Sequence, residues 1–187
     1  MDTAARYFGH HEDAATVEGS LEMSGSIQVL ADTLAQAKQE NRAALITYLP
    51  ASFPTVSGGI AAIVAALSSG ADVVEVGLPH SDPVLDGPVI QAADDIALRG
   101  GVRISDVIRT VREAHRATGK PVVVMSYWNP IARYGIERFT SELSEAGGAG
   151  CVLPDRVAKP LQDLEPLVAG ERLEQRGVQH LDIMADS

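Results

Sequence analysis

Glu75, Asp82 and Asp86 are three of the four carboxylates in the stretch 71–88, ADVVEVGLPHSDPVLDGP. Glu75 stands among Val73, Val74 and Val76, β-branched residues bounded by Gly70 and Gly77. A short apolar run of this kind suits a strand buried on both faces. A carboxylate inside it is costly unless it is paired, hydrogen-bonded or kept protonated. Glu75 therefore asks for a special reason. After Gly77 the chain opens into a loop, residues 78–88, that holds three prolines besides Asp82 and Asp86. An acid at a strand end and another on the following loop could converge on one ligand. On pattern alone the alternative stays open, with Glu75 a capped core acid and Asp82 and Asp86 turn residues.

The elements that must position these groups come in a regular order. Residues 1–24 carry Asp2, Glu12, Asp13, Glu18 and Glu22 against Arg6, and they read as a flexible acidic extension. His10 and His11 lie in it without a third ligand at metal-binding spacing, so no metal site is expected. Ser26 is the expected cap of a helix with the stripe Ile27, Leu30, Leu34 and Ala37, ended by Asn41. Residues 43–49 read as a buried strand closed by Pro50. Thr55 or Ser57 caps a second helix bearing Ile60, Ile63, Val64 and Leu67, and the acid-bearing strand follows. Beyond the loop, residues 89–98 read as a helix, and Ser105 opens another with Ile104, Val107, Ile108 and Val111 on one face. Residues 121–125 are the next strand. Ile136, Phe139, Leu143 and Ala146 mark a further helix, and residues 151–153 a short strand. Pro160 and Pro166 interrupt the apolar pattern after Asp155, and residues 178–184 are the place for a fifth strand.

Strands alternating with helices predict an α/β fold with parallel pairing through right-handed crossovers. Both architectures of that kind, the open doubly wound sheet and the closed barrel, gather ligands at the C-terminal ends of their strands. No strand is followed by a glycine-rich nucleotide motif. The net charge of -10 over 187 residues disfavours nucleic acid and anionic membranes as partners. Cys151 is the single cysteine, which leaves no internal disulfide or thiolate metal cluster and suits a reducing cytoplasm. No apolar run reaches the length of a spanning helix, and the first residues lack the pattern of a signal peptide.

Five motifs together carry a family resemblance. VEVGLPHSDPVLDGPVIQAA (74–93), ALRGGV (97–102), VMSYWNPIARYG (124–135), AALITYLPASFPT (43–55) and VLPD (152–155) resemble the tryptophan synthase alpha chain in order and spacing. That resemblance covers residues 26–155. It implies a (β/α)8 TIM-type barrel that cleaves indole-3-glycerol phosphate to indole and glyceraldehyde 3-phosphate. It puts the family's catalytic glutamate on Glu75 and its partner aspartate on Asp86. One buried carboxyl group with a raised pKa serves such a retro-aldol cleavage as acid and then base. A second, ionised carboxylate near the indole N–H stabilises the charge that develops on the ring. The resemblance further implies Tyr48 and Ile90 as lining of the indole pocket, Val152 as its apolar wall, and Tyr127 beside the glycerol. Pro79, Asp82 and Asn129 fall where the family contacts its beta chain. Pyridoxal phosphate would belong to that beta chain, so no cofactor is expected here.

The departures set further expectations. Phe53 replaces the usual aspartate, Ser52 the usual glycine, and His80 a position where an aromatic is common. At 187 residues the chain is shorter than the roughly 250 of a single-chain barrel, and after Asp155 the motifs stop. The expectation is an incomplete barrel of about four to five of eight βα units over 25–155, followed by a divergent tail, 156–187. The phosphate-holding loops after strands 7 and 8 find no match. Open sheet edges of this kind invite self-association. The alternative function is a catalytically impaired homologue that only binds a beta chain, or a remnant without function.

Overall fold

The computed structural model describes residues 25–83 and 85–155. The acidic extension, the tail after Asp155, His10, His11 and the fifth strand expected over 178–184 lie outside the described residues. Within them, four strands form one parallel sheet in the order β1-β2-β3-β4: β1 (Ile46–Pro50), β2 (Val73–Gly77), β3 (Val122–Met125) and β4 (Gly150–Val152). Helices α1 (Gly25–Gln39), α2 (Val56–Ser68), α3 (Pro88–Arg99), α4 (Ile104–Thr118), α5 (Trp128–Tyr134) and α6 (Ile136–Glu145) fill the connections. These are βα units of the TIM-barrel type, and among the described residues the outer sides of β1 and β4 are unpaired.

Local chemistry sets most of the boundaries. Thr55 caps α2, its Oγ1 accepting from the Gly58 N–H at 3.1 Å. Pro88 sits at the first position of α3, where its missing N–H costs nothing. Gly119 ends α4 with φ +67. The helix α1 begins at Gly25, so Ser26 falls inside its first turn and is not its cap; Asn41 follows the helix in the left-handed region at φ 52. Likewise α4 starts at Ile104, and Asp106 accepts from the Arg103 N–H at 2.9 Å. The helix α5 was not expected at all. Pro130 lies in its first turn, where proline is tolerated, and Asp155 accepts from the Trp128 N–H at 3.0 and 2.9 Å.

Register divides the sheet into two faces. Val74 pairs with Val122 and Val76 with Val124, and all four are fully buried. Against them pack Ile63 and Leu67 of α2, Val107, Ile108 and Val111 of α4, and Phe139 and Leu143 of α6. Each such side chain contributes roughly 1.5–3 kcal/mol of burial energy. The opposite face alternates with it and carries Ile46 and Tyr48 of β1, Val73, Glu75 and Gly77 of β2, Val123 and Met125 of β3, and Val152 of β4. Glu75 is thus excluded from the helix-covered core.

The turn after β1 holds a strained residue. Ser52 has φ 62, is 4 % exposed, and its Oγ has no hydrogen-bond partner among the described residues. Glycine adopts this backbone freely and carries no hydroxyl to bury. Ser52→Gly is expected to stabilise the fold by about 1 kcal/mol, read as a rise of a few degrees in melting temperature. An unchanged or lower melting temperature would contradict it.

Candidate active site

Three strands and one loop converge at the C-terminal end of β2. Tyr48 stands opposite Glu75 in the β1–β2 register, so both side chains leave the sheet on the same face. The Tyr48 ring lies across Gly77, where a Cβ would land on its hydroxyl. Beyond Gly77 the chain turns into the loop that carries Asp86, and α3 follows.

The loop is held at both ends. The His80 ring stacks on the Tyr127 ring with centroids 4.8 Å apart. The Tyr127 hydroxyl accepts from the Leu85 N–H at 3.1 Å, and Gln91 Nε2 donates to the Asp86 carbonyl at 2.8 Å. Tyr127 is therefore buried beneath the loop, at 6 % exposure.

The charges act on one another. Burial raises the Glu75 carboxyl above its ordinary value, and the negative charge of Asp86 adds to the rise. Burial also raises Asp86. Asp94 is pushed up to about 6, first by burial, then by Asp86, while the His80 N–H pulls it down. The Tyr48 phenol is pushed up by burial and then by Asp86, Asp94, Glu75 and Tyr127. A half-buried carboxyl with a raised pKa, beside a second acid, is suited to act as a general acid and afterwards as a base.

Of the expected site residues, Tyr48, Glu75, Asp86 and Tyr127 share this network. Ile90 is half-buried on α3, one turn before Asp94. Val152 lies on the Glu75 face but two strands away, paired with Met125. Pro79 is buried within the chain, so only Asp82 and Asn129, both exposed, offer side chains to a partner. Asp94 escaped the sequence reading. The signal was there in an acid on the helical stripe Ile90, Ala93, Ala97. Among the described residues no His, Cys, Asp and Glu group is arranged to hold a metal. No helix among them is long and apolar enough to cross a membrane.

Comparison with known proteins adds the following. The family model for the tryptophan synthase alpha chain matches residues 34–186, past the last quoted motif at Asp155. The tryptophan synthase alpha chain of Streptomyces coelicolor is 68 % identical over 165 residues, covering 88 % of this chain and 59 % of that protein. That of Streptomyces avermitilis is 69 % identical over 160 residues, covering 86 % and 56 %. A ligand-free crystal structure of Mycobacterium tuberculosis tryptophan synthase superposes with a TM-score of 0.70 at 43 % identity, over 76 % of this chain and 56 % of that one. The tryptophan synthase subunit alpha of Legionella pneumophila does so with 0.69 at 33 % identity, over 77 % and 54 %. The chain thus spans between half and three-fifths of the length of these proteins.

Proposed function

This chain belongs to the tryptophan synthase alpha chain family, and from that premise we propose that it cleaves indole-3-glycerol phosphate to indole and glyceraldehyde 3-phosphate. The observation that carries the reading is the placement of Glu75. It is half-buried, raised in pKa, on the face shared with Tyr48, and under the field of Asp86.

Glu75 protonates the ring carbon of the departing indole and takes a proton from the glycerol hydroxyl. The electron pair of the broken carbon–carbon bond stays on the indole carbon that receives the proton, and the hydroxyl-bearing carbon becomes the aldehyde. Asp86, as carboxylate, accepts from the indole N–H and stabilises the positive charge that builds on the ring. Tyr48, Ile90 and Val152 supply apolar surface to the indole. Glu75, Asp86 and Asp94 repel a phosphate dianion, so the substrate binds with its indole toward the acids and its phosphate away from them. Every proton is carried by carboxyl groups of this chain, so the step calls on no cofactor; pyridoxal phosphate serves the beta chain that consumes indole. Asp82 and Asn129 are the exposed contacts proposed for that beta chain. The location proposed for this chain is the cytoplasm, as the biosynthetic role implies.

The test is direct. Purified protein is incubated with indole-3-glycerol phosphate, with and without a beta chain, and indole is measured. Release in the mixture above the beta-chain blank supports the reading. Stimulation of the beta chain without indole release would support a second reading, a binding module without turnover. Neither effect would overturn both.

A further inference from the structure

The short helix α5 is capped from outside itself. Tyr127 is its N-cap residue, and the Tyr127 side chain makes no capping hydrogen bond. The Trp128 N–H donates instead to both carboxylate oxygens of Asp155, just beyond β4, at 3.0 and 2.9 Å. The Tyr127 backbone is fixed from the same strand. The Ser126 N–H donates to the Val152 carbonyl at 3.0 Å, and the buried Ser126 hydroxyl to the Tyr127 carbonyl at 2.8 Å. The Tyr127 phenol is thereby left to reach the loop after β2. Its hydroxyl accepts from the Leu85 N–H at 3.1 Å, and its ring meets the His80 ring. The Leu85 side chain is 61 % exposed, so the backbone bond to Tyr127 holds the loop there, not burial. Asp86 is the next residue.

We propose that Asp155 is a positioning residue for Asp86, acting through Trp128 and Tyr127. The end of β4 sets the start of α5, the start of α5 sets the phenol, and the phenol sets the loop one residue before the acid. Gln91, which donates to the Asp86 carbonyl, lies on α3, the continuation of the same loop. Tyr127 reaches the loop from β3, so its bond fixes the acid against the sheet that carries Glu75. Groups that act on a reacting molecule must be held to within about half an ångström, and that precision comes from such supporting bonds. The proposal deepens the function given above and rests on it in treating Asp86 as the acid that meets the substrate.

The test follows amide hydrogen exchange by NMR in the full chain. Tyr127→Phe keeps the ring and removes the acceptor, and should speed exchange at the Leu85 amide about tenfold. Asp155→Ala should speed exchange at the Trp128 amide by a similar factor. At the Leu85 amide, which Asp155 does not touch, it should do so by about threefold. Asp155→Asn keeps an acceptor and should bring both amides back toward the parent rates. In the Tyr127→Phe background, Asp155→Ala should add nothing at Leu85, because the link is already cut; a general loss of stability would add its factor in both backgrounds. In the indole assay Asp155→Ala should lower kcat about fivefold with KM little changed, since Asp86 acts on charge that develops in the transition state. Four results would each overturn the proposal: an unchanged Leu85 rate in Asp155→Ala, an equal factor in both backgrounds, an Asp155→Asn protein that exchanges like the alanine variant, or an unchanged kcat. Should Tyr127→Phe fail to fold, the Leu85 rate and kcat of Asp155→Ala still decide. Failure of the parent protein to release indole would count against the proposed function, and the exchange rates would then decide the tie between Asp155 and the loop.

Discussion

Glu75→Gln is expected to lower indole release by about a thousandfold, within the range that a general acid–base group contributes, while raising stability at pH 7. The two effects separate a chemical role from a structural one. Glutamine keeps the shape and hydrogen-bonding capacity of the side chain but carries no exchangeable carboxyl proton. The gain in stability follows from the direction of the Glu75 shift. Its folded pKa lies above the ordinary 4.5, so the folded state binds the proton more tightly than the unfolded chain. The ionised form therefore costs folding energy. That cost is absent below pH 4.5 and accrues as the pH rises through the folded value. Glutamine avoids it. Melting temperatures of the two proteins should thus converge in acid and part at neutral pH, with the variant higher. Equal turnover would refute the catalytic assignment, and equal melting across the range would refute the burial argument.

The second large effect is expected from the smallest change. In Gly77→Ala the added methyl meets the Tyr48 hydroxyl and ring, which lie across that glycine. The strand is fixed by pairing with β1 and β3, so the ring must give way. Overpacking of this sort costs about 1–3 kcal/mol. A displaced Tyr48 removes the aromatic surface beside Glu75, and misplacement by about an ångström can cost a hundredfold in rate. Indole release should fall by that order with a measurable drop in melting temperature. Adding Tyr48→Phe, which deletes the clashing hydroxyl, should recover part of the lost stability. A Gly77→Ala protein that melts and turns over like the parent would mean that the ring has room elsewhere.

How much of this was legible before any coordinates is clearest at β2 and its loop. The strand is short, β-branched and bounded by glycines, so local pattern found it and made Glu75 conspicuous. The parallel order followed from strands and helices alternating. Asp94 was missed because a helix pattern is read from its apolar residues, and a single acid among Ile90, Ala93 and Ala97 looks like a tolerated exception. Only the folded arrangement, which buries the acid and brings the charge of Asp86 to bear on it, shows what it meets. The helix α5 was missed for a related reason. Asn129 and Pro130 signal a turn locally, and the side chain that caps the helix start is Asp155, 27 residues further along the chain. Tyr127 was expected beside a ligand because the motif put it there; that its hydroxyl accepts from the Leu85 backbone was not legible. Contacts of this range are invisible to any window of neighbouring residues.

The strands β1, β2, β3 and β4 stand side by side in the order in which they occur along the chain. A polypeptide leaving the ribosome N-terminus first therefore presents each new strand to a partner already made. Within the described residues no strand has to be held unpaired for one synthesised later, and each closure spans a single βα unit. Co-translational assembly is expected to advance in such steps.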